Sequence, residues 1–97
     1  MKEDYIVNCC RTAVGSFGGS LKDVPATELG AVVVKEALNR AGVKPEQVDE
    51  LMFGCVLTGG LGQNVARQVG VKAGLPYSVP AYTVGMVCGS GMKSVIE

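Results

Sequence analysis

The feature that most limits this fold is an alternation of two periodicities, with glycine-rich turns between them. Tyr5-Ile6-Val7-Asn8-Cys9-Cys10 is a short β-prone run of the kind expected in a strand covered on both faces. From Ala13 to Lys22 the chain carries Gly15, Gly18 and Gly19 with two serines around Phe17, a composition that predicts a loop. Helical spacing follows: Ala26, Leu29, Gly30, Val33, Val34, Ala37, Leu38 and Ala41 share one side, while Glu28, Lys35, Glu36, Asn39 and Arg40 take the other. Pro25 suits the first turn of that helix, Asp23 is a candidate cap, and Gly42 predicts the end near Ala41. Glu36 and Arg40 stand at i,i+4 spacing.

Pro45-Glu46-Gln47-Val48 reads as a single turn and Glu50 to Leu57 as a second buried strand. After the turn Thr58-Gly59-Gly60-Leu61-Gly62, residues Gln63 to Ala73 space Val65, Ala66, Val69 and Ala73 as a helix, with Gly74 and Pro76 as stop signals. Pro80 to Val84 reads as a third strand, and Cys88 to Glu97 as the opening of another helix. The predicted class is α/β, in β-α-β-α-β-α order with a mostly parallel sheet, because such alternation joins parallel strands by crossovers. The last helix has about two turns in which Val95 and Ile96 seek a partner, so the expectation is an incomplete domain.

Composition narrows the function classes. Nine acidic and nine basic side chains cancel, which argues against a nucleic-acid or anionic-membrane partner, since these need a clustered basic excess. Hydrophobic residues make up 47% of the chain and mean hydropathy is +0.29, enough for a core. No apolar run approaches the roughly 20 residues that span a bilayer, and the charged start Met1-Lys2-Glu3-Asp4 lacks a signal-peptide pattern. A cytoplasmic location is therefore expected.

Four cysteines and no histidine set the chemical question. Cys9, Cys10, Cys55 and Cys88 form no CxxC pair, so neither a zinc site nor a disulfide framework follows from their spacing. Without histidine, an enzyme made of these residues alone would need an unusual acid or base. Gly60-Leu61-Gly62 begins a dinucleotide fingerprint that fails at Val65, and Met92 interrupts a phosphate loop between Gly91 and Lys93-Ser94. Turn chemistry accounts for these glycines. Arg11 beside the first loop could meet an anion, although one such arginine is more often structural.

Cys9, Cys10 and Cys55 fall in predicted strands, where cysteine acts as a small hydrophobe. Cys88 differs, because it stands between a strand and a helix start and is followed by Gly-Ser-Gly. A thiol in that place faces unpaired N–H groups that favour its thiolate and can donate to an oxyanion, an arrangement suited to acyl transfer. A buried cysteine that merely opens a helix fits the same pattern.

Four motifs then carry a resemblance. Arg11-Thr12-Ala13-Val14-Gly15-Ser16-Phe17-Gly18-Gly19, Glu28-Leu29-Gly30, Gly62-Gln63-Asn64-Val65-Ala66-Arg67-Gln68 and Val87-Cys88-Gly89-Ser90-Gly91-Met92-Lys93 resemble the N-terminal portion of a thiolase of the acetyl-CoA acetyltransferase branch. The likeness runs the length of the chain, and the first and third motifs favour thiolase over a ketoacyl synthase relative. It implies that residues 1–97 are the first part of a thiolase N-terminal domain. It also implies that Cys88 is the nucleophile that accepts an acyl group, with its backbone N–H as one oxyanion donor.

The family's histidines, its second cysteine and its CoA-holding loops would lie beyond residue 97. The substrate would be an acyl-CoA, with no metal or organic cofactor besides CoA as carrier, and the complete enzyme a homodimer or homotetramer. Catalysis by the 97 residues alone is not expected, and a rival reading makes the chain a docking piece for a complementary thiolase chain. One position departs from the family: Gly85 stands where thiolases usually carry asparagine, three residues before the nucleophile.

Overall fold

The computed structural model describes residues 3–97, so Met1 and Lys2 of the charged N-terminus lie outside the described residues. The order is α1 (Ala26–Ala41), a 3-10 turn (Pro45–Gln47), β1 (Leu51–Gly54), α2 (Val65–Ala73), β2 (Ala81–Val84) and α3 (Ser90–Ile96). Strands β1 and β2 pair in parallel, Leu51 with Ala81 through Gly54 with Val84, and α2 is the crossover between them. The class is thus α/β with a parallel sheet, as the alternation requires.

Side-chain alternation along β1 distributes the helices between the two faces of the sheet. Leu51 and Phe53 point toward α2 and α1: Leu51 lies against Gly70, and Phe53 and Val69 both lie against Gly30. Gly54, on the other face, lies against the first turn of α3. The core is centred on α2, where Val65, Ala66, Val69 and Ala73 are buried together with Ala31, Leu75 and Val79.

Helix α1 ends as its sequence predicts, at Ala41 with Gly42 in the left-handed conformation at φ 68°. Its start differs. Pro25 is itself the N-cap, so Asp23 stands too early to cap the helix, and the Glu28 and Leu29 N–H groups donate to the Pro25 carbonyl. Of the expected face only Gly30 is buried and Ala26 is exposed; Thr27 and Ala31 are buried with Gly30, because α1 approaches α2 through small residues. A Cβ on Gly30 would stand 2.6 Å from Val69 Cγ2. Lys72 of α2 fastens this contact by donating to Thr27 Oγ1 at 2.8 Å and pairing with Glu28 at 3.0 Å. The Glu36–Arg40 pair forms at 2.8 Å on the exposed face.

The expected first strand is the main correction. Among the described residues, Tyr5 to Cys10 pair with no strand, and Tyr5, Ile6 and Val7 are exposed. The segment instead meets α1: Cys10 Sγ donates to the Val33 carbonyl at 3.3 Å, and Arg40 Nη1 donates to the Cys9 carbonyl at 3.4 Å. A β-prone run describes what a pleated surface tolerates, and it forms a strand only when a sheet edge reaches it. The second strand is likewise shorter than Glu50 to Leu57, because the Cys55 N–H makes the last bond to β2, at the Val84 carbonyl, and beyond it Val56 and Leu57 are exposed.

Candidate active site

Both strands end on the same side of the sheet, and the junctions that follow them have different builds. After β1, the loop runs to Asn64, whose left-handed backbone (φ 38°) turns the chain into α2. The Asn64 side-chain oxygen accepts from the Arg67 N–H at 3.1 Å and from Thr83 Oγ1 at 3.2 Å, while its amide donates to the Ala81 carbonyl at 3.0 Å. Thr83 Oγ1 in turn accepts from the Ala66 N–H at 3.0 Å. Arg67 donates to the Val79 and Tyr77 carbonyls at 2.8 and 2.9 Å, and Gln68 to those of Leu61 and Gln63 at 2.7 and 2.8 Å. The Gln63-to-Gln68 motif is therefore a clamp that sets the entry and course of β2. It was noticed in the sequence only as a family signature.

After β2, residues 85–89 turn tightly into α3. Val87 adopts φ 44°, a left-handed conformation that is costly for a β-branched residue, and Gly89 is the N-cap. The Gly89 N–H donates to the Met86 carbonyl at 2.9 Å and the Ser90 N–H to the Val87 carbonyl at 3.2 Å. Cys88 sits on the crest of this turn with its thiol exposed, so it is not the buried helix-opening cysteine that its pattern also allowed. A cavity of about 230 Å³ lined by Met52, Phe53, Gly54, Gly91 and Ser94 lies between β1 and α3. On the same sheet face, burial and then the carboxylates of Glu50 and Glu97 push the Tyr82 phenol up.

The remaining cysteines do not join Cys88. Cys9 is exposed and Cys10 half-buried against α1, a correction to the expectation that both close a buried strand. They line an open hollow of about 560 Å³ with Arg11 and Arg40. Arg40 is drawn to Glu36, whose hydrogen bond and charge raise its pKa. Arg11 donates to the neighbouring Thr12 carbonyl at 3.1 Å. Cys55 is half-buried and gives its thiol hydrogen to the Leu57 carbonyl at 3.4 Å. Among the described residues no cluster of three or more potential metal ligands occurs, and no helix is long and apolar enough to cross a membrane.

The Gly85 departure falls where a side chain would meet open space, since a Cβ there has no atom within 4 Å. Glycine at this position is therefore not required by packing. Two residues of the junction have a role that the sequence does not show. Ser90 is 1% exposed, and Gly54 touches it from β1. The signal for Gly54 was available in principle, as a glycine inside an apolar strand marks a close backbone approach.

Comparison with known proteins bears on this architecture. The family described as "Thiolase, N-terminal domain" matches residues 5–97. An acetyl-CoA acetyltransferase of Cupriavidus necator is 64% identical over 96 residues, which are 99% of this chain and 24% of that protein. A protein of the same name from Clostridioides difficile is 53% identical over 94 residues, covering 97% of this chain and 88% of that one. The crystal structure of the Acat5 thiolase from Ascaris suum in complex with coenzyme A superposes with a TM-score of 0.93 at 40% identity, over 95% of this chain and 24% of that one. The chain thus spans about a quarter of the length of the Cupriavidus and Ascaris proteins and nearly all of the Clostridioides one. With the family match running from Tyr5 to the last residue and the fold superposing over 95% of its length, the chain belongs to the thiolase family, within its N-terminal domain.

Proposed function

We propose that Cys88 is the acyl-accepting nucleophile of an acetyl-CoA C-acetyltransferase, and that residues 1–97 form the part of its N-terminal domain that carries this nucleophile. One observation carries the reading: the thiol that the family resemblance singles out is exposed on a tight turn between a parallel strand and a helix start. The Cys88 thiolate attacks the carbonyl carbon of acetyl-CoA, and the electron pair moves to the oxygen. Collapse of that oxyanion breaks the bond to sulfur, CoA leaves with a proton, and the acetyl group stays on Cys88. A second acetyl-CoA, deprotonated at its α-carbon, attacks the acetyl carbonyl to give acetoacetyl-CoA and to return the thiolate. Thiolysis runs the same steps backward.

The turn limits which groups can hold the oxyanion. The Gly89 and Ser90 N–H groups already serve the Met86 and Val87 carbonyls, which leaves the Cys88 N–H as this chain's candidate donor. CoA enters as substrate carrier, and we assign no metal or organic cofactor. Proton transfer falls to residues outside this stretch, because it holds no histidine. The complete polypeptide would be a homodimer or homotetramer, and we place it in the cytoplasm, where four free thiols stay reduced.

The test is incubation of the complete polypeptide with acetyl-CoA followed by peptide mapping. One acetyl group on Cys88, lost in Cys88→Ser, is the expected result, and acetylation spread over the other cysteines or absent altogether would overturn the reading. Thiolysis of acetoacetyl-CoA by the 97 residues alone should show no turnover; measurable Cys88-dependent activity would contradict the division of labour. A second reading is favoured by the exposed apolar residues Tyr5, Ile6, Val7, Val95 and Ile96. On this reading the chain acts only as a piece that docks on a complementary thiolase chain. Size measurement with and without a C-terminal thiolase segment separates the two conditions, and a folded monomer in both would leave docking without support.

A further inference from the structure

The Cys88 turn is held in a strained conformation by a side chain that has no contact with solvent. Ser90 is 1% exposed, and its hydroxyl both accepts from the Met86 N–H at 2.8 Å and donates to the Val87 carbonyl at 2.7 Å. These two backbone groups bracket residues 86 and 87, the segment in which Val87 takes φ 44°. A β-branched residue in the left-handed region persists only where its surroundings over-determine it. Here the surroundings are the backbone bonds from the Gly89 and Ser90 N–H groups, the Ser90 hydroxyl and the wall behind it. That wall is Gly54, where a Cβ would stand 2.4 Å from both the carbonyl carbon and oxygen of Ser90 and 2.6 Å from the Gly91 nitrogen. Backbone atoms cannot yield as a flexible side chain can, so the absence of a Cβ on β1 is what lets α3 begin where it does.

We propose that Ser90, seated against Gly54, is a positioning residue that holds the Cys88 thiol at the start of α3. Resting on the reading of Cys88 as nucleophile, this adds the part of the turn that aims it. Without the hydroxyl, the Met86 N–H loses its acceptor and Val87 loses a donor to its carbonyl. The Ser90 N–H to Val87 bond at 3.2 Å then remains as the turn's link on that side. Val87 is then free to relax to negative φ, which swings the next residue, Cys88, off the helix start.

The experiment follows alkylation of each cysteine by iodoacetamide across pH, using mass spectrometry on the native chain, Ser90→Ala and Ser90→Thr. In Ser90→Ala the Cys88 rate should fall severalfold relative to Cys9 in the same sample, because a thiol swung off the helix start loses the N–H groups that favour its thiolate. Circular dichroism and the Cys10 rate should stay unchanged, and Ser90→Thr, which keeps the hydroxyl, should recover the rate. An unchanged Cys88 rate in a folded Ser90→Ala would overturn the proposal. So would a rise of all four thiols together, since that reports loss of fold rather than loss of aim. If Cys88 of the complete polypeptide takes no acetyl group from acetyl-CoA yet its alkylation shows this dependence on Ser90, the nucleophile reading fails while the positioning role stands.

Discussion

The two junctions at the end of the sheet solve the same geometric problem with different materials. Between β1 and α2 a long loop is tied down by polar side chains, and the helix that follows is the most buried element of the molecule. Between β2 and α3 the turn is short, one buried hydroxyl and one missing Cβ reinforce its two backbone bonds, and the helix leaves Met92, Val95 and Ile96 exposed. The first junction places a strand and then disappears into the core. The second leaves a thiol facing outward on a strained turn, so it needs rigidity without cover. Many hydrogen bonds and a deep hydrophobic contact suit the one, and local backbone fixation suits the other.

The largest expected effect comes from Gly54→Ala, which drives a methyl into the backbone of Ser90. Destabilisation of about 3 kcal/mol should result, because neither partner is a side chain that can turn aside. Chemical denaturation would read it, and Cys88 should lose its distinct reactivity while the α1–α2 contact survives. A silent Gly54→Ala would erase the difference between the junctions. Arg67→Ala removes two donors from the β1–α2 side, those to the Val79 and Tyr77 carbonyls, and should cost about 2 kcal/mol. Here the loss should appear in the denaturation midpoint with the Cys88 selectivity retained, since the turn itself is untouched.

Gly30→Ala is the mildest of the three. Its methyl would press on Val69, which is fully buried, yet alanine also suits a helix interior better than glycine by about 1 kcal/mol. Overpacking should exceed this gain slightly and leave a net loss of about 1 kcal/mol, visible as a small shift in thermal midpoint. A stabilised Gly30→Ala would show that α1 and α2 are not in such close contact.

What could be read without coordinates divides along the same line. Helix α1 was legible to its last residue, because a periodic face followed by Gly42 encodes its own ending. Cys88 was legible as the distinctive thiol, since strand, cysteine and Gly-Ser-Gly stand next to one another in the chain. The run from Tyr5 to Cys10 was not, as pairing depends on an edge that the run itself cannot specify. Ser90 was hidden for a related reason. In a glycine-rich stretch a serine reads as turn chemistry, and the neighbour that packs against it, Gly54, is 36 positions earlier in the chain. Likewise Asn64, Arg67 and Gln68 looked like a signature until the carbonyls they hold came into view.

The β2–α3 turn sets one thiol apart from three others, and competitive alkylation tests this directly. Native chain is treated with limiting iodoacetamide near neutral pH, and the modified fraction of Cys9, Cys10, Cys55 and Cys88 is followed by peptide mapping. Cys9 is the informative control, because it too is exposed but lies in an unpaired segment. Cys88 should react first and clearly ahead of Cys9; equal rates at the two exposed thiols would contradict a special role for the turn.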